Sequence, residues 1–251
     1  TLKKKPLHGA FFKLKYDAAG VAHEELSLNA ISSQNVSLAR EAQLYQLREN
    51  AMPFRSVVNT EARDKLCRIC GTKNESTTHV LSKCQGMVSG LYRDRHDKIC
   101  RYIHWSLARL HGLITGETRM EDHIPVPVAS NNTIKLEWNR AQPLPTSTSA
   151  IRPDLVAEFD RTIYVIEISV PAEENLNNCF QTKIMKYREI NRALSRARNK
   201  KLKQMTIIVG AQGSIHKSSV NALKTLKISA QALQSIALEK GLDICQIVFN
   251  A

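Results

Sequence analysis

The sequence predicts a mixed α/β (α+β) core in its C-terminal half, preceded by a mainly helical module stapled by a metal. Three observations predict this. Short apolar runs at 154–159, 162–170 and 205–211 alternate with long helical patterns, the arrangement of a layered sheet and helices. Three of the six cysteines fall with a histidine within one short stretch, 67–84. A composition of 43% apolar and 24% charged residues belongs to a globular chain and not to a disordered one.

Taken in order, residues 1–20 are basic and irregular, with turn signals at Pro6, Gly9 and Gly20. The start, "TLKKKPLHGAFFKLK", has no long apolar stretch, so no signal peptide is expected; without an initiating Met, the chain is expected to be a piece of a longer one. From about Val36 to Asn50 the pattern is helical, with Leu38, Ala42, Leu44 and Tyr45 forming the apolar stripe and Pro53 ending it. Residues 90–112 form a second helix, on which Tyr92, Ile99, Ile103, Leu107 and Leu110 repeat until Gly112. Residues 121–150, rich in Pro, Ser and Thr, read as a boundary loop around one strand, "TIKLEWN" (133–139). Two further runs give strands, then a helix over about 174–198, a strand at 205–211, and helices at about 217–226 and 229–240. The domains expected are a basic and helical linker segment (1–60), a Cys/His module with its following helix (61–123), and an α/β domain (124–251). The longest apolar runs, "YVI" and "TIIVGA", are far too short to span a bilayer, so no membrane partner is expected.

"CRICGTKNESTTHVLSKC" spaces Cys67, Cys70, His79 and Cys84 as Cys-x2-Cys-x8-His-x4-Cys. Two thiolates in a tight turn, completed by a nitrogen and a third sulfur, suit tetrahedral zinc. Gly71 supplies the backbone freedom such a turn needs. Four protein ligands leave no open position, so the zinc is expected to be structural, holding together a module too small to build much core. A redox Cys-x-x-Cys would need neither the histidine nor the third cysteine.

The runs "IRPDLVAEFD" and "RTIYVIEISVP" set Asp154, Glu158 and Glu167 where core strands favour apolar residues. A hairpin turning at Asp160–Arg161 makes Phe159 face Thr162, and counting back puts Asp154 directly opposite Glu167. Opposed residues share a face with Cβ atoms about 4.5–5.5 Å apart. Two carboxylates that close repel one another, yet they offer the hard oxygens that Mg²⁺ requires. A three-residue turn would invert the face and destroy the pairing. Glu158 reads as a solvated charge at the strand end. In the following helix, steps of about 100° from Phe180 put Leu176, Ile184, Tyr187, Ile190 and Leu194 on one stripe; Lys183 falls inside it at about −60° and Lys186 on its border at about −120°. Lys183 is therefore placed to reach the acids, where an ammonium can stabilise charge developing on a phosphate. Lys186 is the backup.

Formal net charge is +13, and from Lys183 to Lys203 nine basic residues stand against one acid. Such an excess suits a polyanion, whose counterions Lys and Arg release.

At this point the motifs carry a resemblance. "RPDLVAEFDRTIYVIEISVP" followed by "KIMKYREI" resembles the restriction-like endonuclease at the C-terminal end of one class of non-LTR retrotransposon polyproteins, a branch of the PD-(D/E)xK nuclease superfamily. "CRICGTKNESTTHVLSKC" and "YRDRHDKICRYIHW" resemble the zinc knuckle and the basic-His-Asp segment of those proteins, and "PLHGAFF" the segment linking them to the reverse transcriptase. The order agrees along nearly the whole chain. The resemblance implies a restriction-endonuclease-like fold, a zinc knuckle within 61–123 and a nuclease domain over 124–251. It matches Asp154 and Glu167 to the metal-binding acids and Lys183 and Lys186 to the catalytic lysines; the superfamily's more usual lysine position is Ser169 here. Glu137 is a candidate further acid. It implies Mg²⁺-dependent nicking of double-stranded target DNA in the nucleus, so that the exposed 3′ end primes reverse transcription by an upstream, covalently continuous polymerase. The knuckle would grip DNA or the element RNA. Arg95, His96, Lys3, Lys4, Lys5, Arg188, Arg192, Arg196, Lys200 and Lys201 are the candidate nucleic-acid contacts. The alternative, hinted at by Ser169, is a nuclease-like scaffold that binds nucleic acid without cutting it.

Overall fold

Residues 128–208 supply a sheet on which the remaining elements pack. The computed structural model describes residues 21–32, 36–58, 65–144 and 147–251. The expectations for Lys3, Lys4, Lys5 and "PLHGAFF" lie outside these residues. Seven strands are described: β1 (Val128–Ser130), β2 (Lys135–Trp138), β3 (Gln142–Leu144), β4 (Ser147–Ile151), β5 (Leu155–Glu158), β6 (Thr162–Ser169) and β7 (Lys201–Ile208). Five of them form one mixed sheet in the order β1-β2-β5-β6-β7, antiparallel except for the β6–β7 pair, and β3–β4 stand apart as a small hairpin. The fold class is thus α+β with a mixed sheet, as expected. The boundary region 121–150 holds β1, β3 and most of β4 besides β2, the one strand expected there, since Pro, Ser and Thr obscure the period-two pattern.

The α-helices are α1 (Glu24–Leu28), α2 (Leu38–Arg48), α3 (Arg55–Val58), α4 (Leu91–Leu110), α5 (Leu176–Arg198), α6 (Lys217–Leu226) and α7 (Ala230–Phe249). Helix α5 joins the parallel strands β6 and β7. It stops at Asn199, whose left-handed φ of 47° turns the chain straight into β7. Ser37 and Ser229 cap α2 and α7, each side chain accepting from the backbone N–H three residues on.

Strand parity assigns the two faces of the sheet. Val156, Ile163 and Val165 face α5 and bury Tyr187 and Leu194 of that helix. Leu155, Ala157, Ile166, Ile168 and Ile207 face the other way, against Ile99, Ile103 and Leu107 of α4, Leu223 of α6 and Leu233 of α7. The acids Asp154, Glu158 and Glu167 share parity with the α5 face.

A second core joins the Cys/His segment to the C-terminal helix. Leu44, Leu47, Phe54, Val80, Leu81 and Met87 pack with Leu238, Leu242, Ile244 and Val248. Continuous apolar packing therefore crosses the expected boundaries at 60/61 and 123/124. On α2 the buried residues are Leu44, Leu47 and Arg48, whereas Leu38 is 84% and Tyr45 47% exposed and Ala42 is exposed, so the expected stripe is corrected. The face is chosen by the partner: Arg40 pairs with Glu239 of α7, and the Gln212 amide donates to the Leu47 carbonyl at 2.6 Å. Leu110 at the end of α4 is likewise exposed, while Ile99, Ile103 and Leu107 are buried as expected.

Candidate metal centre and acidic site

The Cys/His motif folds into one cluster. Cys67, Cys70, His79 and Cys84 bring four ligand atoms within 4.8 Å of one another. The Cys67 and Cys84 sulfurs are 3.9 Å apart, and Cys70 Sγ is 3.4 Å from His79 Nε2. Ligands bound tetrahedrally to zinc stand about 3.4–3.8 Å apart, given bond lengths of about 2.3 Å to sulfur and 2.0–2.1 Å to nitrogen. The four residues could therefore hold a zinc ion. Gly71 takes the left-handed φ of 65° that the turn requires. Burial, reinforced by Cys67, pushes the Cys84 thiol up to about 12, an obstacle that a bound cation removes. Glu75, fully buried, organises the turn: its carboxylate accepts from the backbone N–H groups of Arg55 and Arg68 and pairs with the Arg68 guanidinium at 3.0 Å. Nothing in its local sequence marks this role, because it depends on where the 55 and 68 segments meet.

The β5–β6 hairpin turns at Asp160–Arg161. Phe159 N–H donates to the Thr162 carbonyl at 2.8 Å, and the ladder runs Glu158–Ile163, Ala157–Tyr164, Val156–Val165 and Leu155–Ile166. One step further, Asp154 and Glu167 meet. The Ile168 N–H donates to Asp154 Oδ2 at 2.8 Å, and the Asp154 N–H lies 3.3 Å from Glu167 Oε1. Lys183 reaches across from α5, its ammonium 2.7 Å from Glu167 Oε2. Of the α5 stripe, Tyr187 is buried and donates from its hydroxyl to the Arg152 carbonyl at 3.4 Å; the Ile190 side chain lies outside the described residues. Lys186 is not brought to the acids: it is exposed, with its ammonium 5.2 Å from the Tyr187 ring centroid. Its border position on the helix carries it off the sheet side.

The charges are strongly interdependent. Burial and then the neighbouring Asp154 charge raise the Glu167 carboxyl, against the lowering pull of Lys183. Burial also opposes ionisation of Asp154, but His96, Lys183 and the Ile168 N–H outweigh it and hold this carboxyl below its ordinary value. His96, a candidate nucleic-acid contact, has its Nε2 3.5 Å from Asp154 Oδ2 and its Nδ1 2.9 Å from Asp97 Oδ1. Burial lowers its basicity, yet the two carboxylates raise it to about 9.

Other expected residues fall elsewhere. Arg95 is 1% exposed and donates to the Leu81 carbonyl at 2.8 Å, so it is a core residue and not a phosphate contact. It lies on the buried side of α4, beneath the Cys/His segment. Glu158 is not a solvated charge: Arg198 and Lys200 both pair with it, the latter at 3.0 Å. Lys200 also donates to the Phe159 carbonyl. Glu137 shares the α5 face but is held by Lys135, Gln142 and Arg198 at the far end of that helix, away from Glu167. Arg188, Arg192, Arg196 and Lys201 are exposed, as phosphate contacts must be. Ser169 ends β6. No helix among the described residues is long and apolar enough to cross a membrane.

No protein-family model matches the chain, and no curated protein matches it.

Proposed function

We propose that the chain is a metal-dependent DNA endonuclease module of the retrotransposon kind, nicking duplex target DNA to expose a 3′ end for reverse transcription. The observation that carries this reading is the convergence of Asp154, Glu167 and Lys183 at one end of the β5–β6 ladder, with Lys183 2.7 Å from Glu167. Repelling acids on a buried face are costly to structure and useful to a cation. The donor set fits Mg²⁺, which takes one or two carboxylates and keeps several waters; Asp154 Oδ1 accepts no hydrogen bond from the described residues. Asp154 and Glu167 would hold the ion, and when bound it supplies an activated water for attack on a phosphodiester.

The chain's own residues do the rest. The Ile168 N–H orients the Asp154 carboxylate, and Lys183 holds positive charge beside the position where a phosphate gains negative charge. Arg188, Arg192 and Arg196, four residues apart, form an exposed basic row on the side of α5 away from the sheet, suited to a phosphate backbone. The restriction-endonuclease-like fold, nuclear action, continuity with a reverse transcriptase and a knuckle that grips DNA or RNA belong to the same proposal, on the strength of the sequence resemblance. A zinc-loaded protein incubated with supercoiled plasmid tests it: open circles appear with Mg²⁺, and none appear after chelation with EDTA. Plasmid that stays supercoiled in Mg²⁺ overturns it.

One observation favours a second reading, a binding scaffold that does not cut. Lys183 already compensates Glu167, and the lysine position most usual in the superfamily is Ser169. On that reading plasmid is retarded on a gel and never nicked.

A further inference from the structure

Asp154 has a second set of neighbours, which come from the opposite layer of the sheet. His96 and Cys100 lie four residues apart on α4, hence on one face of the helix. One ligand atom each from His96, Cys100 and Asp154 lie within 4.8 Å of one another. His96 Nε2 is 3.5 Å from Asp154 Oδ2, and Cys100 Sγ is 3.7 Å from both ring nitrogens of His96. The first separation is long for a hydrogen bond between nitrogen and oxygen. Both are close to the separations of ligands sharing one tetrahedral ion, about 3.4 Å between nitrogen and oxygen and about 3.6 Å between nitrogen and sulfur; a turn of the Cys100 side chain toward Nε2 completes the set. The Cys70–His79 pair of the other cluster shows the same spacing, 3.4 Å.

The histidine is also oriented for such a role. Its Nδ1 stands 2.9 Å from Asp97 Oδ1, which fixes the ring and presents Nε2 to an ion that displaces its proton. The donors are nitrogen, sulfur and oxygen, a borderline set unlike the all-oxygen acid pair. His96 and Asp154 keep side-chain exposures of 28% and 19%, so an ion can enter from their side while Cys100 closes the interior. On binding, the Cys100 S–H and the His96 Nε2–H bonds break, sulfur–metal and nitrogen–metal bonds form, and both protons leave to solvent.

We propose that His96, Cys100 and Asp154 form a second zinc-class cation position, separate from the Cys₃His cluster and sharing Asp154 with the acid pair. Three protein ligands leave it one open coordination position. The proposal goes beyond the cleavage reading and stands in a chain that cuts nothing.

The test counts metal. The full chain is saturated with Zn²⁺, dialysed, and its zinc measured by mass spectrometry. Two ions per chain are expected for the wild type, and one each for Cys100→Ala and His96→Gln, with circular dichroism unchanged. Titration with Cd²⁺ adds a readout: four cysteines are ligands in the wild type and three in Cys100→Ala, so the sulfur-to-cadmium absorbance falls by about a quarter. One zinc per chain in the wild type, or two retained in both variants, overturns the proposal. Should Cys100→Ala misfold, His96→Gln at its half-buried position decides. Glu167→Gln separates the two ideas: it is expected to lose Mg²⁺-dependent nicking and keep both zinc ions, and loss of the second zinc in this variant counts against the position as drawn.

Discussion

The Lys183 ammonium sits 2.7 Å from Glu167 Oε2, a contact between the second turn of α5 and the C-terminal end of β6. It makes the acid pair a three-residue arrangement. Lys183→Met should lower Mg²⁺-dependent nicking by about 10²–10³-fold, the usual effect of removing one group aimed at developing charge. Asp154→Ala should abolish nicking while plasmid binding stays within a few fold. Lys186→Met should leave the rate near the wild type, since this side chain faces solvent. A Lys186 variant as impaired as the Lys183 variant would contradict the assignment.

Phosphate contact should follow exposure and not charge alone. Replacing Arg188, Arg192 and Arg196 together by Ala should weaken DNA binding and flatten the slope of log affinity against log salt by roughly 2.7, at about 0.9 per lost contact. Arg95→Ala should leave that slope unchanged and instead destabilise the fold by about 3 kcal/mol, because a buried charged donor and its packing are lost. Gel-shift series at several salt concentrations and urea unfolding separate the two effects.

Removing zinc should loosen the segment 66–87 first. Its residues Val80 and Leu81 pack on α7, so chelation should expose both the Cys/His segment and the C-terminal helix to protease. Added Zn²⁺ should restore resistance, and Cys84→Ser should behave as the chelated wild type. Unaltered digestion after chelation would show that the segment is held by its apolar contacts alone.

The His104–His123 pair sets a pH dependence. The two rings share one hydrogen bond at 2.8 Å, and His104 is 1% exposed with no partner at Nε2 among the described residues. Burial, and then His123, lowers its basicity to about 4. The folded state therefore resists protonation that the unfolded chain accepts from about 6.5 downward. Stability should be full above pH 6.5 and decline as the pH falls toward 4, by on the order of 3 kcal/mol. His104→Phe should remove most of that slope in urea midpoints measured from pH 7.5 to 4.

The sequence made some of this legible and concealed the rest for physical reasons. The Asp154–Glu167 register could be counted because a two-residue turn leaves a strand no freedom of parity. Lys183 could be placed because one helical angle separates it from Lys186. The cysteine motif was legible because its ligands lie close in sequence. By contrast, Arg95 looked like surface charge, since nothing local shows that the Leu81 and Val170 carbonyls converge on it. The approach of His96 to Asp154 was hidden because it joins positions 58 residues apart. The stripe on α2 failed for a similar reason: Leu38 and Tyr45 are apolar enough to be buried, but α7 docks on the neighbouring face.

Phe249 stacks on Phe54 at 4.9 Å, and its carbonyl accepts from Arg68 at 3.0 Å. The last turn of α7 is thus a clasp on the cysteine loop. An expression boundary drawn before this turn would cut away the clasp while leaving the whole sheet in place, and an insoluble product from such a truncation would reflect an unlatched loop and not a defective core.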